Sequence, residues 1–280
     1  MSGIENIQSL KKWGVTLLLA VSAAGCTSGD GGGVGANLGP VGAACGGADC
    51  VSLGTSANYA VFANTGIATD AGASLITGNI GTGPGVTSTA ITGFVLSAPP
   101  TTSTTSAQVS GKVHAYDYDP PTPTAVNTAS SNMGAAYTAA GAKAPAGGGL
   151  VTACPGVGNM SDGTGGGSGG PIVAGVYTCA VDVNIPGDLT LNGSATDVWV
   201  FQITGTLNQT AATTMHLTGG ALPQNVFWAV SGAVTIGANA HFEGIILGQT
   251  SITMGNLSSI NGRLLAQSAV TLDATTVTQP

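Results

Sequence analysis

From Val234 onward the chain repeats itself every 18 residues. VTIGANAHFEGIILGQTS (Val234 to Ser251) runs without a gap into ITMGNLSSINGRLLAQSA (Ile252 to Ala269), and VTLDATTV opens a third copy at Val270. Val234, Ile252 and Val270 fall in one apolar column and Ile236, Met254 and Leu272 in another, with Thr235, Thr253 and Thr271 between them. Because strand side chains alternate faces, the apolar columns point inward and the threonines outward. A period of this length holds three short strands and their corners, so each copy forms one coil of a solenoid stacked on the next by backbone hydrogen bonds. The expected fold is mainly β, a right-handed, three-sided (triangular) β-solenoid whose flat faces carry regular ranks of side chains.

Composition narrows the partner of such faces. Only 6% of the 280 residues are charged, yet 43% are hydrophobic and 46 are glycine, which describes a β-rich exported protein rather than a disordered one. A net charge of −7 with five Lys and Arg in total removes the electrostatic footprint that nucleic acid requires, so nucleic acid is excluded as a partner.

Residues 1–25 carry Lys11 and Lys12 followed by an apolar run from Trp13 to Ala24, which is shorter than the roughly 20 residues of a membrane span and reads as a secretory signal. The signal ends in Ala23-Ala24-Gly25-Cys26, which resembles a bacterial lipobox with Cys26 as the lipidated residue. An ordinary signal with an incidental cysteine is the alternative. Export is expected either way, as a cell-surface lipoprotein, outer-membrane by the rule that Thr27 implies, or as a secreted form. The only membrane contact is then through the lipid. With Cys26 set aside, Cys45, Cys50, Cys154 and Cys179 remain. Two disulfides fit an exported chain, and sequence neighbourhood suggests Cys45 with Cys50 and Cys154 with Cys179, although four cysteines allow three connectivities.

Residues 26–50 read as a Gly-rich tether and residues 51–280 as the folded domain. Short β-like runs include Tyr59 to Phe62, Ser74 to Ile76 and Ala90 to Phe94, then Val176 to Cys179, Leu189 to Leu191, Val198 to Ile203 and Asn225 to Val230. Between Pro120 and Pro145 the composition turns alanine-rich, with Val126, Ala129, Met133, Ala136, Tyr137 and Ala140 at helical spacing. The spacing predicts one helix, at about residues 122–142, lying along one side of the rod. Val198 to Ile203 and Val226 to Val230 are apolar at nearly every position, as expected where the helix covers their outer side, with Trp199 and Trp228 in the core.

Catalytic chemistry finds little support. His114, His216 and His241 have no serine or cysteine nucleophile in a recognisable motif beside them, and His216 and His241 fall at outward positions. The acids are scattered, without an Asp-x-Asp-x-Asp-Gly loop or cysteine–histidine spacing, so neither metal nor cofactor is expected. Two outward ranks remain. One joins Thr190, Thr235, Thr253 and Thr271. The other lies a corner later: Thr210-Ala-Ala212-Thr213, Ala238-Asn-Ala240-His241, Asn256-Leu-Ser258-Ser259 and Ala274-Thr275-Thr276. Both would repeat at the strand spacing of about 4.8 Å.

The chain resembles the bacterial, fungal and algal ice-binding proteins of the DUF3494 type, which share a discontinuous β-solenoid with an accompanying helix. The resemblance spans Leu53 to Pro280. It rests on Leu53-Gly-Thr-Ser-Ala-Asn-Tyr-Ala-Val-Phe62, Ile76-Thr-Gly-Asn-Ile-Gly81, Ile91-Thr-Gly-Phe94, the helix after Pro120, Asp197-Val-Trp-Val-Phe-Gln-Ile203, Asn225-Val-Phe-Trp228 and Asn261-Gly-Arg-Leu-Leu-Ala-Gln267. It implies a non-enzymatic monomer whose partner is the ice crystal surface. Some members carry T-A/G-x-T/N on the ice face, which Thr210 to Thr213 and Thr89 to Thr92 match, whereas the coils at Ala238 and Asn256 depart from it through His241 and Leu257. The alternative function is a cell-surface adhesin or glycan-binding module. Such sites usually expose aromatic platforms, and Tyr116 with Tyr118 is the only close pair expected to be free.

Overall fold

The structure is a computed structural model that describes residues 49–70, 74–97, 101–144, 152–162 and 169–280. The expected signal, Cys26, most of the tether and Cys45 lie outside the described residues. Short strands build three sheets of twelve, seven and three strands, and every pairing between named strands is parallel except that of Thr104–Ser106 with Val109–His114. The two apolar columns of the repeat stack in register, Val234 on Ile252 on Val270 and Ile236 on Met254 on Leu272, and all six residues are buried.

Each late coil contributes a strand to the seven-stranded sheet, turns a corner, and enters one long strand. His241–Gly248 and Ser259–Ala266 are such strands, eight residues each. Gly244 breaks the first at φ 107°, a left-handed conformation that a side chain would disfavour, and a Cβ there would stand 2.7 Å from the Val226 carbonyl oxygen. The half before the glycine continues the three-stranded sheet through a bridge between Thr214 and His241, while the half after it packs beneath the helix.

The coils do not stack in chain order. The seven-stranded sheet runs Val183–Ile185, Leu207–Gln209, Val234–Ile236, Ile252–Met254, Ala269–Leu272, and then Gly66–Thr69 and Ile91–Thr92. The amino-terminal coils therefore sit on the carboxy-terminal one. At that junction Tyr59–Ala63, Asn79–Thr82, Val109–His114, Leu75–Thr77, Thr276–Thr278 and Ser259–Ala266 close a circuit of six parallel strands.

Inside the coils Tyr177, Phe201, Trp228 and Phe242 form a continuous aromatic stack, with Phe201 and Trp228 centred 3.9 Å apart. Both buried indoles find acceptors, Trp199 donating to the Ile172 carbonyl and Trp228 to that of Glu243, each at 3.1 Å. This removes the cost of an unpaired N–H in an apolar interior.

Among the described residues one α-helix occurs; it spans Thr122–Gly141 and buries Val126, Ala129, Met133, Ala136 and Ala140 against Val198, Val200, Phe227, Ala229, Ile245, Leu247 and Leu265. Small residues every third or fourth position let it lie close to the sheet, and burial of Val126 and Met133 contributes roughly 1.5–3 kcal/mol each, with less from each alanine methyl. Gln202, reaching out from the sheet, donates to the Ala140 and Lys143 carbonyls and satisfies the end of the helix. One side of the fold is thus withdrawn from any partner. Cys154 and Cys179 form the disulfide that their neighbourhood suggested, and Cys50 is also disulfide-bonded.

Candidate functional site

Two outer surfaces remain uncovered by the helix. On the seven-stranded sheet, backbone register aligns Asn184, Asn208, Thr235, Thr253, Thr271, Ala68 and Thr92 in one column, and a bridge adds Asn159 below Asn184. All are exposed or half-exposed. The hydroxyls of Thr235, Thr253, Thr271 and Thr92 have no hydrogen-bond partner among the described residues, while Asn208 donates to Asn184 at 3.4 Å. Ala233, Ser251 and Ala269 precede the core positions of their strands and add further small, exposed or half-exposed groups beside the threonines. The result is a flat surface of methyls and unengaged hydroxyls without charge along its central column. Charges stand at its margins. Asp182, whose carboxylate accepts from the Thr206 N–H at 2.7 Å and is held below the usual range by that bond, lies at one. Asp70 lies at the other, where a hydrogen bond and repulsion from neighbouring Asp273 push its pKa up.

The other surface is occupied by its own hydrogen bonds. His241 lies between Ser259 and Glu243, with Nδ1 2.7 Å from the Ser259 hydroxyl and Nε2 2.9 Å from the carboxylate. A carboxylate only accepts, so Nε2 is the donor in the contact with Glu243. Asn261 donates to the same Glu243 oxygen at 2.9 Å, His216 approaches Asp188 at 3.9 Å, and the Thr190 hydroxyl is bonded to Asp162.

No recognisable nucleophile motif adjoins the histidines in the sequence, but strand pairing places Ser259 directly beside His241. The backbone N–H groups next to this pair are already bonded. The Ser259 N–H is spent on the Ala240 carbonyl and the Thr276 N–H on that of Ser258, so neither is free to stabilise an oxyanion. Among the described residues no group of three or more His, Cys, Asp or Glu is placed to hold a metal ion.

Both expected ranks need revision. Thr190 does not belong with Thr235, Thr253 and Thr271: it pairs with His216 in the three-stranded sheet, and Asn208 takes the place assigned to it. The second rank is a corner rather than a face. Thr214, not Thr213, aligns with His241, so Thr213, Ala240, Ser258 and Thr275 share the inward position and are 7%, 1%, 1% and 0% exposed. Thr213 donates its hydroxyl to the Thr210 carbonyl at 2.8 Å, and Ser258 lies 3.5 Å from Thr275, so these hydroxyls stabilise the turn. Thr210, Ala212, Asn256 and Thr276 are exposed along the corner, Ala238 is half-buried, and Asn256 donates to Asp273 at 2.9 Å. Of the earlier pair, Thr92 joins the threonine column, whereas Thr89 lies in a short 3-10 turn and bonds Thr87 at 2.7 Å. Tyr118, expected to be free beside Tyr116, is buried.

The profile of the family described as Ice-binding-like matches residues 61–278. The chain belongs to that family. It is 39% identical over 237 residues to an ice-binding protein of Flavobacterium frigoris (strain PS1), covering 83% of this chain and 77% of that one. A Colwellia sp ice-binding protein is 39% identical over 236 residues, covering 82% and 84%. Among solved structures, an antifreeze ice-binding protein from Arctic yeast superimposes with a TM-score of 0.75 at 37% identity, covering 82% of this chain and 94% of that one. The DUF3494 domain of Shewanella frigidimarina ice-binding protein_1 gives 0.70 at 27%, covering 86% and 99%.

Sequence reasoning missed Asn159, Asn184, Asn208 and Ala68. The asparagines sit in coils of unequal length, which hides them from an 18-residue period, and Ala68 joins the column only because Gly66–Thr69 pairs with Ala269–Leu272, far away in the sequence.

Proposed function

We propose that this protein adsorbs to ice through the outer surface of the seven-stranded sheet and thereby inhibits ice growth and recrystallisation. The observation that carries the reading is the in-register column from Asn159 through Asn184, Asn208, Thr235, Thr253, Thr271 and Ala68 to Thr92. Its members repeat at the strand spacing of about 4.8 Å, and its threonine hydroxyls have no hydrogen-bond partner among the described residues.

Such a surface holds water without surrendering it to internal hydrogen bonds. Methyls exclude disordered water, hydroxyls hold the next layer in register, and a stiff scaffold makes docking onto a crystal cost little ordering. Ice growing between adsorbed molecules must curve, which lowers its local freezing temperature. The surface of His241, Glu243 and Asn261 is the weaker candidate because its polar groups already satisfy one another. In this reading the protein is a monomeric, right-handed, three-sided solenoid without catalytic activity. It is exported and held to the membrane by lipid at Cys26 or released.

Partition into a slowly grown ice hemisphere tests the function, using fluorescently labelled chain without residues 1–25 and with Cys26→Ser. Enrichment above an inert β-solenoid is expected. Exclusion of the folded protein to the level of that control overturns the reading.

A further inference from the structure

Among the described residues four other than glycine adopt left-handed backbone, and all four are the same residue of successive corners: Ala212 at φ 57°, Asn239 at 57°, Leu257 at 56° and Ala274 at 47°. The stack imposes this conformation. In three of the four corners the left-handed residue donates its N–H to the next coil, Ala212 to Ala238, Asn239 to Asn256 and Leu257 to Asp273, at 2.8–3.1 Å. A corner cannot relax to extended backbone without losing that bond. Alanine is small and asparagine tolerates the conformation, but a branched, bulky side chain is disfavoured there.

Leu257 also remains 61% exposed and belongs to neither buried cluster. It therefore carries two costs, backbone strain and an apolar side chain in water, and no packing of this fold offsets either. It projects from the corner that joins Ile252–Met254, in the threonine sheet, to Ser259–Ala266. The coils on either side place Asn239 and Ala274 at the equivalent position, so Leu257 is the one large apolar side chain among the four corners.

We infer that Leu257 is an ice-contacting residue that extends the adsorbing surface from the threonine column onto its edge. The inference rests on the ice-binding reading above. Residues held in strained backbone concentrate where a ligand uses them, and here the stack fixes the strain at Leu257 while leaving its side chain uncovered. The contact is apolar: isobutyl methyls on the corner that follows Ile252–Met254 release ordered water on docking, as a buried aliphatic group does elsewhere.

The test compares the parent chain with Leu257→Gly and Leu257→Met, measuring thermal stability and the fraction partitioned into ice. Glycine relieves the strain and removes the methyls, whereas methionine keeps strain and apolar bulk. The expected result is a Gly variant at least as stable as the parent with affinity for ice lowered about threefold or more, and a Met variant close to the parent. Unchanged partition of Leu257→Gly overturns the inference, as does loss of binding by Leu257→Gly accompanied by a lowered unfolding temperature. Failure of the parent chain to enter ice overturns the functional reading instead, so the two failures are distinguishable.

Discussion

Ala68 stands directly beside Thr271 in parallel register, joining the first coil of the folded chain to the last. Without that pairing the seven-stranded sheet would end at Ala269–Leu272 with an unpaired edge. Instead Gly66–Thr69 and Ile91–Thr92 carry it further, and the candidate surface gains Ala68 and Thr92 from the opposite end of the sequence.

The junction makes a specific expectation about the surface. Ala68→Tyr and Thr253→Tyr should each lower ice partition strongly, because one bulky ring lifts a rigid plane from a rigid crystal. Neither side chain is buried, so unfolding free energy should stay within about 0.5 kcal/mol of the parent. Thr276→Tyr, on the surface of His241 and Ser259, should leave partition unchanged. If Thr276→Tyr removed binding and Thr253→Tyr did not, the adsorbing surface would be the other one.

Thr213 belongs to the corner and not to the surface, so its effect should be on stability. Thr213→Ala removes the hydroxyl bond to the Thr210 carbonyl and should cost about 1 kcal/mol in denaturant unfolding with ice affinity unchanged. Thr213→Tyr, which a surface reading of the T-x-x-T motif would choose, forces a ring into a position 7% exposed and should fail to fold.

The parts of this fold that were legible in the sequence are those governed by local periodicity. Val234, Ile252 and Val270 announce the coil because inward positions must be apolar in every turn, and the helix announces itself through Val126, Ala129, Met133 and Ala136. Facts that depend on which coil stacks on which were not legible. Thr190 looks like Thr235 by local pattern, yet coil length sends it to another sheet. Thr213 and Thr214 differ only in register, and a slip of one residue exchanges inside for outside.

The cap at the end of the helix gives an independent handle on the covered side. Gln202 donates to both the Ala140 and Lys143 carbonyls, so Gln202→Ala leaves two acceptors to water and should cost about 1–2 kcal/mol. Hydrogen exchange should quicken first in the last turn of the helix, at Ala140 and Gly141. Ice partition at low temperature, where the protein stays folded, should be unaffected. Equal loosening along the whole helix would show that apolar burial, and not this cap, holds its end.

Acid should weaken the protein through His114. The residue is 1% exposed, its ring edge meets Tyr59 at 5.7 Å, and Nδ1 has no hydrogen-bond partner among the described residues. Burial, with a smaller contribution from the Lys112 charge, lowers its pKa from 6.5 to about 4. In the unfolded chain the imidazole takes up a proton near its ordinary value, so between that value and about 4 the unfolded state binds more protons than the folded one. Stability due to this group is therefore full above about pH 7, falls as pH is lowered through that window, and stops falling below about pH 4. A displacement of this size corresponds to a loss of about 3 kcal/mol. Urea unfolding at stepped pH should show the slope, and His114→Phe, which fills similar space beside Tyr59 without titrating, should flatten it. A slope that persists in His114→Phe would assign the acid sensitivity to the carboxylates instead.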